Sequence, residues 1–209
     1  MSKKMKKTLY SLMLSDEVIH EIDLLAHRMG TNRSNLVNRI LAEHVQIRTP
    51  EQRVNDIFSA VEEFMSSSPE LVALTVPDAP SMELRSCLEY KYRPTVRYEV
   101  GIQKILPPEP GKLNRIGRLT VIFRTQSSAL IDLMENFFRI FENIEENLLP
   151  ISVEYTYEDG KFTRSLAYPT AMGEYVREIS SKELARILSD YIRLLDRLLK
   201  GYVSGSLTA

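Results

Sequence analysis

Two hydrophobic periods divide the chain. Near its start, Tyr10, Leu12 and Leu14 alternate with Leu9, Ser11 and Met13, the two-residue period of a strand buried on one face. The pattern then lengthens. Val18, Ile22, Leu25, Ala26 and Met29 form one stripe of a helix, with Ser15 as its predicted cap, Asp16 and Glu17 at its positive end and Gly30 as its stop. Thr31 or Asn32 caps a second helix, whose stripe is Leu36, Val37, Ile40, Leu41 and His44 or Val45. Arg48-Thr49-Pro50 closes this region, so the predicted domains are residues 1–48 and 51–209.

The second region mixes the two periods. A helix is predicted from Glu51 to Met65, with Val54, Ile57, Phe58, Val61 and Phe64 on one side. Residues 84–92, 96–106 and 116–124 alternate as strands, and PPEPGK at 107–112 reads as a loop. A long helix over Ser127–Leu149, a hairpin at 151–168 turning at Asp159-Gly160, and a last helix from about Ser180 to Tyr202 complete it. The fold class is α+β, an antiparallel sheet covered by helices. In the last helix Leu184, Leu188, Tyr191, Leu195, Leu198 and Tyr202 follow a 4-3-4-3-4 spacing, which suits either a seam with a twin helix or cover for the sheet.

The strand near the start has no neighbour to pair with, and about 40 residues hold too little core to fold alone. Both defects vanish if two chains pair these strands antiparallel and interlock their helices. The chain is therefore expected to dimerise.

Charge adds to this picture. Residues 1–48 carry eight Lys/Arg against five Asp/Glu, a net +3, while the rest carries nineteen against twenty-three, a net −4. A basic arm on an acidic body suits a polyanionic partner. Hydrophobic residues are 44% and charged residues 26% of the chain, an ordinary balance for a folded protein. The single cysteine, Cys87, excludes an internal disulfide and fits a reducing cytoplasm. No apolar run is long enough for a membrane span.

LYSLML, then SDEVIHEIDLLAHRMG, then TNRSNLVNRILAEHV, with Asp23, Ala26 and Gly30 at D-x-x-A-x-x-x-G followed by Arg33-Ser34, resembles the ribbon-helix-helix family of Arc and MetJ repressors over residues 7–46. The resemblance implies a ribbon in the major groove of double-stranded DNA, with Leu9, Ser11 and Met13 facing the bases and Tyr10, Leu12 and Leu14 facing the core. It also implies phosphate contacts at Asn32, Arg33 and Ser34, where the second helix begins, and at Lys3, Lys4, Lys6 and Lys7. The sequence departs from its relatives in offering apolar Leu9 and Met13 to the groove. Either apolar contacts and DNA shape carry recognition, or the ribbon binds loosely.

The resemblance implies a homodimeric DNA-binding regulator, a transcriptional repressor with a tetramer on DNA as one assembly. The body would add oligomer contacts or bind a small-molecule effector. The alternative is an antitoxin-like or plasmid transfer or partition accessory protein, whose body holds a protein partner. Neither a cofactor nor a membrane is expected. No P-loop, GxGxxG or nucleophile elbow occurs, so no enzyme is expected. A nickel-sensing relative would need His and Cys ligands in its second domain, and this one has only Cys87, since His20, His27 and His44 all lie in the arm.

Overall fold

The computed structural model describes residues 9–45, 49–67, 70–74, 81–90, 93–103, 114–123, 125–149, 151–158, 160–168 and 179–207. The protein is mixed α and β, and it divides into two compact units, Met1–Thr49 and Pro50–Ala209.

In the first unit, α1 (Asp16–Arg28) and α2 (Arg33–His44) form a helical hairpin. Residues 9–15 precede them with no assigned helix or strand, so the expected strand is absent from the isolated chain. The reason is physical: a strand is defined by a hydrogen-bonded ladder, and no other segment of this unit pairs with it among the described residues. Ser15 takes the extended N-cap conformation, but its hydroxyl makes no capping bond; its carbonyl accepts from Ile19 N–H at 3.0 Å.

The second unit opens with α3 (Pro50–Met65), whose first residue suits proline because a first-turn N–H has no helical acceptor. Then follow β1 (Val72–Leu74), β2 (Ser81–Cys87), β3 (Thr95–Ile102), β4 (Arg115–Phe123), α4 (Ser128–Leu148), β5 (Tyr155–Glu158), β6 (Lys161–Ala167) and α5 (Ser181–Val203). All strand pairs are antiparallel, in the order β1-β2-β3-β4-β6-β5. Alternation decides the layers. Met82, Leu84, Val96, Tyr98, Val100, Leu119, Val121 and Phe162 point into a core shared with the three helices. Their neighbours, among them Arg85, Arg118 and Lys161, lie on the other face and stay exposed. There Glu83 accepts from Arg97 across the β2–β3 ladder at 3.2 Å, the cross-strand charge pairing that alternation suggests.

Serines set the starts of the two long helices: Ser127 accepts from Leu130 N–H at 3.3 Å and Ser180 from Glu183 N–H at 3.1 Å. Gly117 marks an irregularity in β4 where the backbones approach closely; a Cβ there would lie 2.0 Å from the Gly101 carbonyl oxygen. The leucine seam of α5 serves its own sheet, since Leu184, Leu188 and Leu195 are all buried in the core.

Candidate nucleic-acid interface

The first unit positions its polar groups through the turn between its helices. Gly30 stands at φ +62°, the left-handed conformation that closes α1 and sends Thr31 N–H back to the Ala26 carbonyl at 3.0 Å. Asn32 then caps α2, its side chain accepting from Asn35 N–H at 2.9 Å. The amides of Arg33 and Ser34 are first-turn donors with no acceptor inside the helix, so they aim outward at the positive end of the dipole.

Arg33 does not stand alone. Its guanidinium grips Asp23 with both arms, Nε to Oδ1 at 2.7 Å and Nη2 to Oδ2. The hydrogen bonds from Arg33 hold the Asp23 carboxyl below its usual range, and those to Asp23 raise the guanidinium in return. The pair ties the middle of α1 to the start of α2. Both residues belong to the motif that resembles the repressor family, yet their pairing is legible only once the hairpin brings them together.

Residues 9–14 show an alternation in exposure. Leu9 and Met13 are 96% and 101% exposed, while Tyr10, Leu12 and Leu14 fall through 80%, 52% and 39%. Ser11 is exposed as well. The set expected to face the DNA bases points to solvent. The set expected in the core is only partly covered in the single chain. Lys3, Lys4, Lys6 and Lys7 lie outside the described residues.

The helices repeat that shortfall. Val18, Leu24, Ile40, Leu41 and Val45 are 42–58% exposed, while among the described residues of this unit the buried apolar side chains are Ala26, Leu36 and Ala42. Along α1 an open groove of about 330 Å³ is lined by Glu17, Val18, Glu21, Ile22, Leu25 and Arg28. The groove is apolar along Val18, Ile22 and Leu25 and rimmed by Glu17, Glu21 and Arg28.

The body holds a different kind of polar group. Glu145 on α4 is 8% exposed and meets Arg164 of β6 bidentately, at 2.7 and 2.9 Å. It also accepts from the hydroxyls of Tyr155 at 2.8 Å and Tyr191 at 3.1 Å. Arg164 lies 4.7 Å from the Tyr191 ring centroid. Burial, with the adjacent carboxylate, pushes both phenols up. Each carboxylate oxygen of Glu145 has two donors, and Arg164 also donates to the Ser165 carbonyl at 3.0 Å, so this cluster ties α4, α5, β5 and β6 together. Tyr98 and Asp196 form a similar buried bond at 2.8 Å, with Lys200 on the second aspartate oxygen at 2.7 Å. The sequence carries no local signal for the Glu145 cluster, whose partners stand 10 to 46 residues away, or for the Tyr98–Asp196 bond, which spans 98; only Asp196 and Lys200, four apart on α5, are local.

Among the described residues no group of three His, Cys, Asp or Glu side chains gathers as a metal site. Nor is any described helix long and apolar enough to cross a membrane. Comparison with protein-family models, curated proteins and solved structures finds no match.

Proposed function

We infer that the first unit is one half of a ribbon-helix-helix dimer and that the protein is a DNA-binding transcriptional regulator, a repressor in the simplest case. The observation that carries this reading is the graded alternation over residues 9–14, in front of a helical hairpin whose apolar groove lies open. Pairing two copies of residues 9–14 supplies the absent ladder and covers Leu12, Leu14 and the groove in one step. The same pairing leaves Leu9, Ser11 and Met13 on the outer face of a two-stranded ribbon, which fits the width of a major groove. Asn32, Arg33 and Ser34 then present a helix start to a phosphate, with Lys3, Lys4, Lys6 and Lys7 as further phosphate contacts. The Asp23 pairing makes Arg33 a brace for the turn as much as a phosphate ligand.

Selection of bound sequences from random duplex DNA at one fixed salt concentration tests this function. The expected outcome is enrichment of two inverted half-sites rich in thymine, because Leu9 and Met13 can touch thymine methyls and Ser11 alone on that face can hydrogen-bond a base. Recovery of unenriched DNA, or no retention of DNA, would contradict it.

A further inference from the structure

On the body's outer side, α4 and α5 leave a second apolar area in water. Ile140, Ile144 and Leu148 are 47%, 48% and 75% exposed, and Ile187 and Leu194 are 37% and 42% exposed. They belong to one patch. Phe141 meets Tyr191 with ring centroids 6.5 Å apart, and Phe137 meets Tyr202 at 5.5 Å, so these aromatic rings mark the boundary between the helices. Ile140 and Ile144 each follow one of those phenylalanines by three residues. Ile187 and Leu194 stand four before and three after Tyr191. Both sets therefore flank the same seam.

Charge is missing from the α4 half of the patch. The α4 positions interleaved with the isoleucines are Asn136, Asn143 and Asn147, all exposed and all neutral. A solvent-facing helix normally carries charge there, whereas a charge-free apolar centre inside a charged rim is the anatomy of an interface.

The rim shows what would cover the patch. On α5, Asp190 and Arg197 stand seven residues apart on either side of Leu194; on α4, Arg139 and Glu146 stand seven apart on either side of Asn143; all four are exposed. Contacts at both ends, Tyr191 with Phe141 and Glu145 and Tyr202 with Phe137, run the helices antiparallel and bring the midpoints of these two pairs level. A two-fold axis across the helices at that level sets Asp190 opposite the second copy's Arg197 and Arg139 opposite the second copy's Glu146. Each pair then forms twice, with Leu194 beside the axis. That reciprocity is the mark of a self-complementary surface. Asp190 already touches Arg193 at 3.6 Å, and its 61% exposed carboxylate keeps room for another donor.

The geometry points to the α4–α5 face as a docking surface for a second copy of this chain, separate from the pairing of residues 9–14. A chain with two self-associating faces can join dimers into larger assemblies, as cooperative occupation of adjacent DNA sites requires.

Sedimentation velocity on the full chain carrying Leu12→Pro, which removes an amide from the ribbon ladder, isolates this face. That chain is expected to remain a dimer. Adding Leu194→Glu, which sets two carboxylates against each other at the axis, is expected to give a monomer that still melts cooperatively, lower only by the stabilisation the dimer supplied. In the same background Asp190→Arg should weaken the dimer about tenfold or more by opposing two like charges, and Asp190→Arg with Arg197→Asp should restore it. A sedimentation coefficient that Leu194→Glu leaves unchanged, or a charge swap that restores nothing, overturns the proposal. A Leu12→Pro chain that is already monomeric overturns it too.

Discussion

The two units meet the same demand, burial of an apolar face, with opposite success. In Pro50–Ala209 the strands β2, β3, β4 and β6 lay their inward side chains into a core shared with the helices, and rings stack through the centre, Phe138 on Phe162 at 4.1 Å. In Met1–Thr49 the apolar stripes are as regular, yet Leu12, Val18, Ile40 and Leu41 remain 42–52% exposed. Hydrophobic periodicity says that a face must be covered. It does not say by what. The body covers the inner face of its sheet from within the chain and leaves apolar side chains in water only at its margins, whereas the arm leaves most of its stripes uncovered.

The contrast is sharpest at the core of each unit. Phe138→Ala, at a side chain 1% exposed, should cost the body about 3–5 kcal/mol through lost contacts and a cavity. Its melting should drop by the same amount at any protein concentration. Leu12→Ala is the matching change in the arm. In an isolated chain a half-exposed leucine should matter by no more than about 0.5 kcal/mol. In a paired ribbon it should cost about 2–3 kcal/mol, with a melting temperature that rises with concentration. Differential scanning calorimetry over a concentration series separates the two cases, and a concentration-independent loss in the arm would break the contrast.

Alkaline pH probes the body alone. Burial, reinforced by Asp196, pushes the Tyr98 phenol well above its ordinary value of 10.0, and burial raises Tyr155 and Tyr191 too. The native state therefore keeps protons that the unfolded chain releases. This stabilisation is complete below pH 10 and is lost progressively as pH rises beyond it. Tyr98→Phe should cost about 1–3 kcal/mol at neutral pH, because Asp196 loses a buried donor, and should make the alkaline decline shallower. Urea denaturation at pH 8 and above pH 10 checks both signs. A smaller effect is expected in the arm, where Asn32→Ala removes the cap of α2 and should cost about 1 kcal/mol.

Much of the body was legible in the sequence because strong periods marked its elements. The stripes of α3, α4 and α5 and the alternation of β3, β4 and β6 fall within a few residues of expectation, and Gly160 turns the last hairpin at φ +67°. What failed has local causes. β1 is a three-residue edge strand, too short to show alternation. β2 runs over Ser81–Cys87 instead of 84–92, because the chain turns before Pro94: Arg93 N–H returns to the Tyr90 carbonyl at 2.8 Å and Arg93 itself sits at φ +43°. The buried bonds of Glu145 and Asp196 join residues distant in sequence, so charge pattern alone could not separate them from surface acids. In the arm the motif residues Asp23 and Arg33 were visible, but not their ion pair. Residues 9–14 are the instructive case: their alternation is legible, no strand is assigned to them in the single chain, and the ladder we propose requires a second molecule.

That requirement is what amide hydrogen exchange at residues 9–14 measures most directly. The full-length protein should show slow exchange at these amides at high concentration, with protection fading on dilution as the paired strands separate. Exchange at the rate of an unstructured chain at every concentration, with and without DNA, would contradict the ribbon and with it the dimeric DNA-binding arm.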